Sequence, residues 1–326
     1  MKEAIRGFIN QLKFKPIIGN KENLVSAKKF IVSGMGGSHL AADLLKIWNP
    51  CFDLIIHHDY GLPIVSDDLK NYLIIISSYS GNTEEAIDGF KEAISKNLFV
   101  ACVSTGGELL ELAKKYKKPY VQIPSTRIEP RSALGFSAVC LLKLMNQEKA
   151  LAEINKIADN LDMDNLEKQG KELAQRLNKF IPVIYTSTKN GPIGYNWKIR
   201  FNETGKIPCF YNTLPELNHN EMVGFDREKD TRGLSDNFYF IFLRDEEDHP
   251  RIKIRMDILK DIYQEKELAV EIIELKGGNI WEKIFSSLLL ADWAAYYTAQ
   301  IYKLEAQETA IITRFKGIIK ERGNML

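Results

Sequence analysis

The chain predicts an α/β fold: a doubly wound αβα layer sandwich around a mostly parallel sheet, built twice. Three observations carry this expectation. From Lys29 to Met145 short β-branched or aromatic runs alternate with segments of helical period, the pattern of βαβ units. Two of the strands run into turns rich in glycine or hydroxyls, where ligands of open α/β sheets gather. A second αβ pattern of similar plan begins at Pro182, without a repeat at the level of residues.

In the first half the strands fall at Phe30–Ser33, Leu54–His57, Leu73–Ser77, Phe99–Val103 and Tyr120–Ile123. Helices with apolar residues at three- and four-residue spacing fall at His39–Ile47, Glu84–Lys96, Glu108–Tyr116 and Leu134–Met145. The stretch 147–179 is charged, lacks proline and keeps a helical period, so it reads as a connector. The expected domains are 1–150, a helical link over 151–178, and 179–326. The second half gives strands at Val183–Thr186, Phe238–Leu243 and Ala269–Glu274, and a further segment at Cys209–Phe210. Its helices are expected at Pro192–Asn202, Glu216–Gly224, Arg251–Gln264, Asn279–Tyr302 and Thr309–Lys320.

Composition narrows the function classes. The 326 residues are 45% hydrophobic and 27% charged, which excludes disordered, collagen-like and coiled-coil chains. With 44 basic and 43 acidic residues the net charge is +1, so no basic field collects nucleic acid or anionic membrane. The amino terminus is charged throughout, unlike a secretory signal, and no apolar run reaches bilayer length. Cys51, Cys102, Cys140 and Cys209 are widely spaced in apolar surroundings and read as buried, reduced thiols. The expectation is a cytoplasmic protein with no nucleic-acid or membrane partner.

The first turn reads Gly34-Met35-Gly36-Gly37-Ser38 between a strand and a helix. Glycines there let the backbone bend and aim its N–H groups at an anion. A dinucleotide fingerprint would need glycine at His39, and a Walker A loop would need Gly-Lys-Ser/Thr, which is absent. The third strand leads into Ser77-Ser78-Tyr79-Ser80-Gly81-Asn82-Thr83-Glu84-Glu85, more hydroxyls than one helix cap needs. Gly36, Gly37, Ser38, Ser78, Ser80 and Thr83 together suit a phosphate monoester, with its charge and acceptor oxygens. The second half offers only Ser187-Thr188-Lys189-Asn190 and the acidic run 244–248, so one phosphate site per chain is expected.

GMGGS and SSYSGNTEE resemble the SIS, or sugar isomerase, domain. With PRSALG, NETGK, ELNHNEMVGF and a lysine near the carboxyl end, the order of motifs over both halves resembles the bifunctional phosphoglucose/phosphomannose isomerase family. The resemblance implies two SIS-type domains and a metal-free, cofactor-free aldose–ketose isomerase that links glucose 6-phosphate and mannose 6-phosphate with fructose 6-phosphate through a cis-enediol. Such chemistry needs the ring opened, a proton moved between C1 and C2, and an enediolate oxygen stabilised.

Glu203, at the end of a helix beside Gly205, resembles the family's proton-transferring base. His219 resembles the histidine that helps open the ring and that the neighbouring subunit contributes, which implies an obligate homodimer. Arg131 follows the fifth strand, where its guanidinium can hold enediolate charge or form a structural ion pair with Glu129 or another acid. Lys320 resembles the lysine that assists ring opening, with Lys316 as its rival. Thr313, seven positions before Lys320 and on the same helix face, matches the small hydroxyl residue of the bifunctional family. Extra room beside C2 would admit either epimer.

Other clusters weigh less. His57 and His58 are strand neighbours pointing to opposite faces, which disfavours a shared metal. Trp293, Tyr296, Tyr297 and Tyr302 read as packing, and Cys140 has no histidine beside it in sequence to activate it. The competing readings are an SIS isomerase of another sugar phosphate and a non-catalytic phosphosugar sensor.

Overall fold

All six residues of β4 (Tyr72–Ser77) are buried, as a strand covered on both faces requires. A computed structural model describes residues 1–126 and 128–323, apart from the side chain of Lys320. Two short helices, α1 (Lys2–Arg6) and α2 (Phe8–Leu12), and a two-residue strand, β1 (Ile18–Gly19), come first. The alternation then runs β2 (Lys29–Ser33), α3 (Gly37–Trp48), β3 (Leu54–His57), β4, α4 (Glu84–Ser95), β5 (Val100–Ser104), α5 (Gly107–Lys115), β6 (Tyr120–Gln122) and α6 (Leu134–Leu144). These strands form one sheet in the order β1-β6-β5-β4-β2-β3, parallel except for β1 against β6. The order reverses between β2 and β4. That switch point opens a crevice at the carboxyl ends of the two strands, and both motif turns begin there.

The connector forms α7 (Glu148–Ile157) and α8 (Met163–Arg176). Beyond it come β7 (Ile181–Ser187), α9 (Gly191–Glu203), β8 (Phe210–Leu214), β9 (Phe238–Asp245), α10 (Pro250–Glu265), β10 (Ala269–Leu275), α11 (Ile280–Ile301) and α12 (Ala310–Gly323). The four strands make a second, all-parallel sheet in the order β10-β9-β7-β8. One apolar cluster runs through both halves, from Phe30 and Val32 to Ile184, Ile241 and Trp293. It is sealed where α8 meets α11: a methyl group on Gly170 would lie 2.3 Å from Trp293 Cβ, so only glycine permits that approach. No helix among the described residues is long and apolar enough to cross a membrane.

The α/β expectation and the order of its elements agree with this structure, and three details differ. The helix expected at Glu216–Gly224 is two 3₁₀ turns, Glu216–His219 and Glu221–Phe225, separated at Asn220, whose side chain caps the second. Cys51 is exposed in the turn after α3, whereas Cys102, Cys140 and Cys209 are buried, and burial pushes their thiols up. The sequence predicts no element over residues 1–24, yet α1 and α2 dock there by burying Ile5, Phe8 and Leu12.

Glu167 of α8 ties this amino-terminal segment down. It accepts from the Tyr297 hydroxyl at 2.6 Å and from Arg6, and pairs with Lys2 at 2.9 Å. Burial alone would raise its pKa, but Lys2, Tyr297 and Arg6 bring it from 4.5 to about 2. A depressed carboxyl stabilises above its unfolded pKa, and loses that contribution as pH falls from about 4.5 through about 2. Glu167→Gln should therefore cost about 1–2 kcal/mol at pH 7, after discounting for the exposed partners. Denaturant midpoints read at a series of pH values should show the deficit closing below pH 4.5; a deficit unchanged down to pH 2 would contradict this.

Candidate active site

The glycine turn after β2 has a backbone demand that one residue type meets freely. Gly36 sits at φ +51° and ψ −126°, closed to L side chains. Gly37 opens α3, and a methyl group there would lie 2.7 Å from the Pro130 carbonyl carbon and 2.8 Å from the Arg131 nitrogen. The hydroxyl loop folds onto the same turn. Ser77 Oγ donates to the Ser38 carbonyl at 2.8 Å, and the Tyr79 N–H donates to Ser38 Oγ at 3.0 Å. The Ser78 and Thr83 hydroxyls bond each other at 2.9 Å, and the Ser80 hydroxyl accepts from the Asn82 N–H at 3.2 Å. Gly81, at φ +73°, packs so closely on Gly106 that a methyl group would fall 1.8 Å from its carbonyl oxygen. Ser38 thus joins the two turns, which hold Gly36 and Gly37 at the amino terminus of α3 and Ser78, Ser80 and Thr83 ahead of α4, and helix amino termini attract anions.

Arg131 leads from this cradle to the other half. It lies in a 3₁₀ turn, Pro130–Ser132, and is 1% exposed. Its Nε donates to Thr204 Oγ1 at 2.9 Å, and Nη2 donates to the carbonyls of Ala306 and Gln307, each at 3.0 Å. Its Nη1 lies 3.2 Å from Glu203 and 3.6 Å from Glu129. Of the alternatives left open by the sequence, the structural ion pair is present, with both Glu129 and Glu203 as its acids.

Glu203 owes its place to α9, which ends on it. One face of that helix is fastened to α11 by a buried Arg200–Asp292 pair at 2.9 Å, and by Trp197 Nε1 donating to Ser287 Oγ at 2.9 Å. Burial raises the pKa of Asp292, which the adjacent Arg200 opposes. After Glu203, Lys206 turns its ammonium back to donate to the Glu203 carbonyl at 2.7 Å and to the Glu308 carbonyl. Burial and then the charge of Arg131 pull the Lys206 pKa down.

The remaining expected residues stand elsewhere. Thr313 is on exposed α12, three residues past its first, with its hydroxyl near the Thr309 carbonyl at 3.4 Å. Lys316 is exposed on the same helix, and the side chain of Lys320 lies outside the described residues. His219 is exposed in the 3₁₀ turn after β8, and among the described residues its side chain makes no hydrogen bond or ion pair. The structure therefore brings together the cradle, Arg131 and Glu203 but not His219. His57 bonds to the Tyr60 carbonyl at 3.2 Å, while His58 stacks on His39, so the two rings face different partners. Thr204 and Lys206, which contact Arg131 and the Glu203 carbonyl respectively, are neighbours that the sequence reading misses; the NETGK motif containing them is the available signal.

A model of the bacterial phospho-glucose isomerase C-terminal SIS domain matches residues 166–319. The bifunctional phosphoglucose/phosphomannose isomerase of Aquifex aeolicus is 30% identical over 98% of this chain and 98% of its own. The chain belongs to the bifunctional phosphoglucose/phosphomannose isomerase family. A second member of this family, from Caldicellulosiruptor bescii, is 34% identical over 90% of each chain. A hypothetical protein from Thermus thermophilus shares the fold, with a TM-score of 0.71 and 14% identity over 98% of this chain and 90% of its own.

In this member of the family, Gly37 is where the cradle touches the Arg131 backbone, so the two should fail together. Gly37→Ala should weaken binding of inorganic phosphate about tenfold, or about 1.4 kcal/mol by titration calorimetry. Unchanged affinity would separate the glycine turn from the anion.

Proposed function

We propose that this chain interconverts glucose 6-phosphate and mannose 6-phosphate with fructose 6-phosphate, without a metal, by moving a proton through a cis-enediol. One observation carries the reading: a carboxylate from the second half, Glu203, meets a buried guanidinium, Arg131, 3.2 Å away, and the Arg131 backbone packs against Gly37 of the glycine turn. Ser38, Ser78, Ser80, Thr83 and the Gly36–Gly37 turn hold the phosphate. With that end fixed, the sugar's C1 and C2 extend toward α9, and binding energy is converted into position.

Ring opening comes first. His219 passes a proton to the ring oxygen with help from Lys320. Glu203 then takes the proton from C2 and returns it to C1 of the planar enediol, while a hydroxyl proton moves between the two oxygens. Arg131 stabilises the intermediate oxyanion with its guanidinium donors. Thr313 leaves room beside C2, so that return of the proton to either face yields either aldose. The amino-terminal lobe, 1–150, supplies the anion site, and the lobe at 179–326 supplies the base.

His219 belongs to the site of a second copy in this reading, which makes the enzyme an obligate homodimer. Apolar surface supports it. Along α12, Ile311, Ile312, Phe315, Ile318 and Ile319 are exposed, as are Phe210, Tyr211 and Val223 on either side of His219 in the chain. Patches of that extent mark association surfaces.

Two experiments test the assignment. Glu203→Gln should lower kcat by roughly a thousandfold or more while KM shifts by only a few fold; unchanged turnover would refute the base. Inactive Glu203→Gln and His219→Ala chains, unfolded together and refolded, should regain about a quarter of wild-type activity. Half of the dimers are then hybrids, each with one intact site of two. No recovery would place His219 in its own subunit's site.

A further inference from the structure

Lys206 occupies a position that its residue type makes costly. Its φ is +59°, the left-handed region that glycine takes freely and a lysine side chain does not. The neighbouring glycine is not the residue in that conformation; Gly205 is required because a methyl group there would lie 2.8 Å from the Phe201 carbonyl oxygen. A long cationic side chain stands where the backbone favours none.

What the ammonium does is specific. It bonds the Glu203 carbonyl at the end of α9 and the Glu308 carbonyl two residues before α12. Arg131 already holds the two preceding carbonyls, Ala306 and Gln307. Three successive carbonyls at the root of α12 are therefore held by two cations, one from each half of the molecule. Beyond this root the helix has little packing of its own, since residues 311–319 are all exposed. Its direction is set where it starts.

We propose that Lys206 is a positioning residue: with Arg131 it forms a two-cation clasp that fixes the root of α12, and thereby Thr313, relative to the Glu203 end of α9. The inference rests on the assignment of Glu203 as the proton-transferring base. Burial and the Arg131 charge lower the affinity of Lys206 for its proton, against the acids Glu203, Glu129 and Glu305. The cation is thus held in place by its bonds rather than by its surroundings. A lysine that merely capped the carboxyl end of α9 would contribute stability and leave turnover alone.

Three variants separate these roles. Lys206→Gly removes the clasp and also relieves the backbone. It should melt at or a few degrees above the wild type, yet lose kcat roughly tenfold to a hundredfold with KM changed less than about threefold. Lys206→Met should show the same loss of kcat, and Lys206→Arg should recover at least about a third of it. A Lys206→Gly enzyme with wild-type kcat, or an arginine variant as slow as the methionine one, would overturn the proposal. Glu203→Gln measured alongside keeps the two readings apart. If it is inactive while Lys206→Gly turns over normally, the clasp alone fails; if it is active, the base assignment fails first.

Discussion

Arg131 is nine-tenths and more out of water, and a guanidinium survives that only when its donors are matched. Its donors go to Thr204, Glu203, Glu129 and the carbonyls of Ala306 and Gln307. These partners come from the first half, the end of α9 and the approach to α12, so one side chain sets three parts of the site against one another. The carboxylates of Glu129 and Glu203 beside its guanidinium oppose its charge, which makes the burial tolerable. The same pairing bears on the chemistry. In the proposed reaction an enediolate oxygen would compete with the Glu203 carboxylate for the same guanidinium, since the two oxygens are chemically similar acceptors.

The two sheets differ in what borders their switch points, which is why the proposed anion site falls in the first half. Both sheets have a switch point, between β2 and β4 in the first and between β7 and β9 in the second. The first is bordered by glycines and hydroxyls. At the second, Lys283 from α11 forms a buried pair with Asp245 at 2.6 Å, and Lys189 pairs with Asp245 and Glu247. Asn190 Nδ2 donates to Asp245 at 3.0 Å, closing the group. The crevice is filled by the chain's own charges. In such a cluster both lysines are already paired with carboxylates, and the pairing rigidifies the sheet end from which α9 departs. That matters because α9 must deliver Glu203 across to the other half.

Much of this is legible in the letters because strands and helices here obey their periods. Leu54–His57 is the same strand in sequence and structure, and most other bounds agree within two residues. The failures have physical causes. The segment 216–225 has helical residue types, but Asn220 sits outside helical geometry and its side chain caps the next turn, so two 3₁₀ turns replace one helix. The first two helices are five residues each, too short to form without the core they dock on, and no periodicity exists over that length. For the site, the cradle is visible as a motif. The bond from Arg131 to Glu203 joins residues 72 apart in the chain, and the role of Lys206 depends on a backbone angle, which no residue type spells out.

The exposure of α12 and of His219 follows from one division of labour. Packing within the chain fixes what the proposed reaction needs rigid before substrate arrives: the two turns, the buried Arg131 guanidinium and Glu203 beside it. In the proposed reaction the ring-opening group is needed at the other end of the sugar, and no described contact within the chain holds His219 there. A helix with Ile311, Phe315 and Ile318 along one face cannot rest in water at low cost, so association that covers it is favoured by apolar burial alone. If the same association carries a partner's His219 to the cleft, the apolar face of α12 serves assembly and Thr313, on that helix, serves the site. The clasp at residues 306–308 is then the joint between them, since it decides both where the face points and where Thr313 stands.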